Sequence, residues 1–231
     1  MPGTQSKPPI INAPLPVTVF AVLLVAAHAV VSFLPGGLQN FVFYNGALIP
    51  ERFWASPDFA ATSGLAPYAN ALAAAVPMVA SAFLHGGWMH VIMNAAFLVA
   101  FAKPLLELMR RVWPGREPGA TLVLLGLFLT AQIAASLTFL ALNYPAGPMA
   151  VGASGGVSGL LAAILMLRGG PQKWLLTREF LLASAAYMVI NVLMVFVGPA
   201  LLGASIAWQA HIGGYAGGAL FMRLVLWRMG G

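Results

Sequence analysis

From Pro16 to Leu34 the chain runs nineteen residues without one Asp, Glu, Lys or Arg. A helix rises about 1.5 Å per residue, so a run of that length covers the ~30 Å hydrocarbon core of a bilayer. Five more apolar segments follow, near 83–102, 119–141, 152–168, 179–198 and 205–226. Only 7% of the 231 residues are charged and 61% are hydrophobic, whereas soluble domains average about 25% charged. The solvent for most of this surface must therefore be lipid. In lipid the backbone has no water to bond to, which leaves helices or closed barrels as spanning structures. Runs of this length predict an all-α, polytopic membrane protein with six transmembrane helices. Residues 1–15, polar and proline-rich, are expected to be a disordered cytoplasmic tail, and 16–228 a single transmembrane domain. Ala27-His28-Ala29 loosely resembles a signal-peptidase site, but the lone Lys7 leader and the long apolar run favour an uncleaved first span. Gly36 to Val76 has no clean apolar run and reads as a large interfacial loop with short helices.

Orientation follows from the basic residues. Lys7 precedes the first span; Lys103, Arg110, Arg111 and Arg116 lie between the second and third; Arg168, Lys173 and Arg178 lie between the fourth and fifth; Arg223 and Arg228 end the chain. With six spans these ten of the eleven Lys and Arg residues share one side, and only Arg52 lies opposite. The positive-inside rule then puts both termini in the cytoplasm. The formal charge of +6 is explained by these loops, so no nucleic-acid partner is inferred. The absence of cysteine removes disulfides, thiolate nucleophiles and cysteine-ligated metals. No cofactor is expected.

Polar side chains inside a membrane are costly and are functional candidates. They are His28 in span 1; His85, His90 and Asn94 in span 2; Gln132, Ser136 and Thr138 in span 3; Ser154 and Ser158 in span 4; Ser184, Tyr187 and Asn191 in span 5; and Ser205, Gln209 and His211 in span 6. Counted from the span starts, His90 and Asn94 lie roughly 10–16 Å deep and His211 roughly 9 Å. Ser154 reaches a similar level if its helix starts below the surface. A serine needs a base to become a nucleophile, and acyl transfer needs donors for the oxyanion. Ser154 at a helix start brings free N–H groups and the positive end of the helix dipole. None of the five acidic residues, Glu51, Asp58, Glu107, Glu117 and Glu179, is positioned to complete a triad. Any serine hydrolase here would use a Ser–His dyad, its histidine oriented by packing beside Gly213-Gly214 and Gly217-Gly218. The polar residues of spans 3 and 5 read as packing. His28 reads as structural, and His85 as an interfacial residue beside Trp88.

Three segments together resemble the rhomboid family of intramembrane serine proteases. His85 to Asn94 fits H-x-x-x-x-H-x-x-x-N, Gly152-Ala153-Ser154-Gly155 fits G-x-S-G, and Ala210-His211-Ile212-Gly213-Gly214 with Gly218 resembles the family's A-H-x-x-G-x-x-x-G. The resemblance spans about residues 40–225. It implies a rhomboid-like bundle of the compact bacterial type in the inner membrane, with Ser154 as nucleophile and His211 as general base and acid. It further implies that His90, Asn94 and the Ser154 N–H form the oxyanion hole, and that the substrates are transmembrane proteins. The family's Trp-Arg pair is replaced by Glu51-Arg52-Phe53-Trp54. Ser158 also sits in a G-x-S-G, one turn deeper, and remains a second candidate nucleophile; with Ser154 as nucleophile, Gly155 and Gly159 read as a small-residue packing face. A non-catalytic relative that binds transmembrane helices, and a histidine-ligated cofactor or ion protein, are the competing readings. H-E-x-x-H, the zinc-protease signature, is absent.

Overall fold

The computed structural model describes residues 13–54, 56, 58, 62–113, 115, 117–168, 177–202 and 206–228. Lys7, Arg116, Lys173 and Ser205 lie outside them, as does most of the expected N-terminal tail. Among the described residues the architecture is all-helical, with one isolated antiparallel bridge, Leu48 to Ala150.

The first long run is α1, Leu15–Ser32, opened by Pro14 with Pro16 in its first turn, where a missing N–H costs nothing. Its buried residues Val17, Leu24 and His28 form one stripe, while Leu15, Val19, Val22, Leu23 and Val30 are exposed. In water that would be an aggregation hazard; in a bilayer it is a lipid-facing surface. The expected interfacial loop holds α2, Gly36–Gly46, and α3, Pro50–Trp54, and runs into α4, Ala71–Ala80, capped by Asn70, whose side-chain oxygen accepts from the Ala73 N–H at 2.9 Å. A 3₁₀ turn, Ser81–Phe83, follows. The remaining helices are α5, Trp88–Val112; α6, Glu117–Leu142; α7, Ser154–Arg168; α8, Arg178–Leu202; and α9, Trp208–Arg228.

Four of these, α1, α5, α6 and α8, are long and apolar enough to cross a membrane; α7 is apolar but has only 15 residues. The chain is a multi-pass membrane protein. At the centre lies α7, packed by α5, α6 and α9, with eleven buried residues. A helix enclosed this way needs small residues so that its neighbours can approach. A Cβ on Gly214 would collide with the Gly155 carbonyl, one on Gly218 with the Gly159 backbone, and one on Gly159 with Ala131 of α6. The packing face expected from Gly155 and Gly159 is thus real and double-sided.

Unlike α7, α8 is attached lightly. Leu181, Leu182, Val189, Ile190, Val192, Leu193 and Phe196 are exposed. Its inward face consists of Phe180, Ser184, Tyr187 and Asn191, spaced at helical intervals.

The Glu51-Arg52-Phe53-Trp54 segment is well organised. Arg52 is buried, its guanidinium between the Tyr44 and Tyr68 rings at 3.8 and 4.0 Å. It donates to the Ala66 carbonyl at 2.9 Å and to the Tyr44 carbonyl. Burial pushes the Tyr68 phenol up from its ordinary range against the opposing pull of the Arg52 charge. The Glu51 carboxylate accepts from the Gly147 N–H at 3.1 Å, and the Trp54 indole donates to the Leu140 carbonyl at 3.1 Å. The Glu51–Gly147 bond and the Leu48–Ala150 bridge tie the interfacial loop to the segment that leads into α7, and the Trp54 bond ties it to the last turns of α6.

Candidate active site

Three helix N-termini converge. Ser154 is the first residue of α7, His211 the fourth of α9, and His90 and Asn94 the third and seventh of α5. The second span was expected to begin near 83. It begins at Trp88, because Gly86-Gly87 interrupts the chain after the 3₁₀ turn. His90 and Asn94 therefore lie only about 3 and 9 Å along their helix, shallower along it than the residue count implied. Each N-terminus contributes partial positive charge to the site.

Ser154 Oγ and His211 Nε2 are 2.8 Å apart, although 57 residues separate them in sequence. On the far side of the ring, His211 Nδ1 lies 2.7 Å from Asn191 Oδ1 of α8. The sequence predicts a packing role for Asn191 and a histidine oriented by packing beside the glycines; in the structure those glycines allow close helix approach, and the Asn191 amide contacts the ring.

Ser158, the rival serine, is buried and fully engaged. Its hydroxyl donates to the Ser154 carbonyl at 2.7 Å and accepts from the Tyr187 hydroxyl at 2.6 Å. Among the described residues its hydrogen-bonding partners include no imidazole.

The first glycine of G-x-S-G has a geometric reason. Gly152 has φ +122°, open to glycine and strained for other residues. A Cβ there would stand 2.8 Å from His90 Nε2 and 3.0 Å from its Cε1, with the Asn94 amide nitrogen 3.7 Å away. His90 and Asn94 thus lie directly over the backbone that leads into Ser154. His90 Nδ1 accepts from the Gly86 N–H at 3.4 Å. A neutral ring accepting at Nδ1 carries its proton on Nε2, so the edge facing Gly152 is a donor. Asn94 spends one amide hydrogen on the His90 carbonyl at 3.0 Å and, among the described residues, keeps the other.

Gln132 of α6, also read as packing, holds the other side. Its Oε1 accepts from the Gly156 N–H at 3.0 Å, and its Nε2 donates to Ser81 Oγ at 3.3 Å and to the Gly152 carbonyl at 3.4 Å. The Gly152 N–H donates to the Ser81 carbonyl at 2.8 Å. Beside Ser154 lies a small cavity of about 20 Å³, lined by Ser81, Gln132, Ser136, Gly152 and Ala210 among others. That is room for one water with polar partners.

His85 differs from its expected interfacial role. It is 2% exposed, and among the described residues neither of its ring nitrogens has a hydrogen-bond partner. Its ring stands edge-on to those of His28 and His90, with centroids 6.2 and 5.0 Å away. His28 is buried against Trp88, centroids 4.8 Å apart.

The family model for the Rhomboid domain matches residues 73–228. No curated protein sequence matches the chain. The match covers more than half of the sequence and takes in the elements that carry Ser154, His211, His90 and Asn94, so the chain belongs to the rhomboid family, whose members are generally intramembrane serine proteases acting on transmembrane substrates.

Proposed function

We propose that the protein is an intramembrane serine endopeptidase that hydrolyses peptide bonds in or near transmembrane segments of other membrane proteins, using Ser154 and His211 as a dyad. The observation that carries this reading is the 2.8 Å contact between Ser154 Oγ and His211 Nε2 at the N-termini of α7 and α9. Ser154 Oγ attacks the scissile carbonyl carbon while His211 Nε2 takes the hydroxyl proton. The oxyanion is met by His90 Nε2–H, the free Asn94 amide hydrogen and the Ser154 backbone N–H, which precedes the helix's own hydrogen bonds. As the C–N bond breaks, His211 returns the proton to the leaving amine. Water then attacks the acyl-enzyme and gives a proton to His211, which passes it to Ser154 Oγ as the acyl C–O bond breaks, releasing the carboxylic acid.

The length of α7 supports a sunken site. Fifteen residues reach about 22 Å, some 8 Å short of a ~30 Å core. With Arg168 at the cytoplasmic boundary, Ser154 lies below the outer one. We read α1, α5, α6, α7, α8 and α9 as six crossings of a bacterial inner membrane with cytoplasmic termini, on the strength of the ten-to-one bias of basic residues. Residues 16–228 form one protease domain in this reading, preceded by a disordered tail, and no cofactor takes part.

The test is cleavage of a panel of model transmembrane substrates in proteoliposomes, with Ser154→Ala beside the native protein. Cleavage by the native protein alone supports the proposal. Equal cleavage by both removes Ser154. Binding without cleavage by either favours a non-catalytic relative.

A further inference from the structure

The contacts around His211 close on themselves. Ser154 Oγ meets His211 Nε2 at 2.8 Å; His211 Nδ1 meets Asn191 Oδ1 at 2.7 Å; Asn191 Nδ2 donates to the Tyr187 carbonyl at 3.3 Å; the Tyr187 hydroxyl donates to Ser158 Oγ at 2.6 Å; Ser158 Oγ donates to the Ser154 carbonyl at 2.7 Å. The proton positions in this circuit follow from one group that has no choice. A backbone carbonyl only accepts, so the Asn191 nitrogen must face Tyr187. Its oxygen then faces His211 and also only accepts. His211 Nδ1 must therefore carry the ring proton, and Nε2 presents a bare lone pair to the Ser154 hydroxyl. From Ser154 through the imidazole and the Asn191 amide to the Tyr187 carbonyl the donors point one way, so these three bonds polarise one another.

We propose that Asn191 is a positioning residue that locks His211 in the Nδ1–H tautomer, making a Ser–His–Asn relay in which α8 supplies the third member. The proposal rests on the protease reading for its kinetic consequence, though not for the tautomer itself. An amide can do this where a carboxylate is absent. Its oxygen accepts a hydrogen bond from Nδ1–H, and its own orientation is fixed by the Tyr187 carbonyl. It adds no charge to the interior, which suits a site in lipid, where an ionised side chain is expensive. Asn191 itself is 3% exposed.

The tautomer is read directly by ¹⁵N NMR of histidine-labelled, full-length protein in nanodiscs, without substrate. The chain has only four histidines, and the His211 signals are identified by their loss in His211→Asn. Native protein is expected to show His211 as Nδ1–H. In Asn191→Leu, which keeps the volume and removes the acceptor, that population falls, and kcat drops on the order of 10²-fold with KM within about threefold. Asn191→Asp, which restores an acceptor, returns kcat to within about tenfold of native, a rescue that a space-filling role would not give. A native His211 protonated at Nε2 overturns the proposal, as does an unchanged tautomer with near-native kcat in Asn191→Leu. Should that variant fail to fold, the native tautomer alone decides. A native protein that cuts no substrate defeats the protease reading and leaves the tautomer result standing.

Discussion

Replacing Gly152 with alanine tests how tightly the backbone before Ser154 is set. Two effects add. At φ +122° an L-residue stores strain of about 1–3 kcal/mol. The new methyl would also stand 2.8 Å from His90 Nε2 and 3.0 Å from its Cε1, so either the His90 ring or the Gly152 backbone must move by several tenths of an ångström. Whichever moves, the proposed oxyanion donor and the nucleophile lose register. Misplacement approaching 1 Å costs on the order of 10²-fold in rate, so kcat should fall about 10- to 100-fold while the helical circular dichroism signal persists. The assay is single-turnover cleavage of a transmembrane substrate in proteoliposomes, with thermal unfolding measured on the same preparations. Gly37→Ala is the control, since a Cβ at Gly37 meets nothing within 4 Å, and it should leave both readouts unchanged. Near-native kcat in Gly152→Ala would refute the argument that His90 and this turn are held against one another.

Other consequences can be checked in the same system. His90→Ala and Asn94→Ala should each lower kcat by roughly 10- to 100-fold with little change in KM, because the donors act on the oxyanion rather than the bound substrate; a pure KM effect would contradict this. Ser158→Ala should keep measurable cleavage, since only a supporting hydroxyl is lost, and should lower stability by about 1 kcal/mol as Tyr187 loses its acceptor; complete loss of serine labelling would reopen the choice between the two serines. Arg52→Lys should lower the unfolding temperature, because an ammonium cannot reproduce the stacking between Tyr44 and Tyr68 together with the donated bonds; an unchanged Tm would show that the cage does not hold the loop.

Much of this site is written in residue types that the chain can hardly explain otherwise. A serine between glycines and a histidine beside a glycine pair stand out where only 7% of residues are charged, and their helices bring them together. Asn191 did not stand out. One amide in an apolar helix, twenty residues before His211, looks like interhelical packing. The available signal was its register with Ser184 and Tyr187, which share one face of α8 while the other face is wholly apolar. Gln132 was missed for the same reason, since its partners are backbone groups around Gly152 and Gly156 that no side-chain pattern reveals. The start of α5 was placed too early because apolar content continues through Leu84, although Gly86-Gly87 marked the break. Arg52 looked like a departure from a family pattern. Its two aromatic partners lie 8 residues before it, in α2, and 16 after it, in the irregular segment before α4, so no single element's period pairs them.

The central claim is that His211 activates Ser154 and no other serine. The direct measurement is labelling of the membrane-embedded protein with a fluorophosphonate, followed by mass mapping of the adduct. The account predicts a single adduct on Ser154 in the native protein and none in Ser154→Ala or His211→Ala. An adduct on Ser158, or undiminished labelling in His211→Ala, would contradict it.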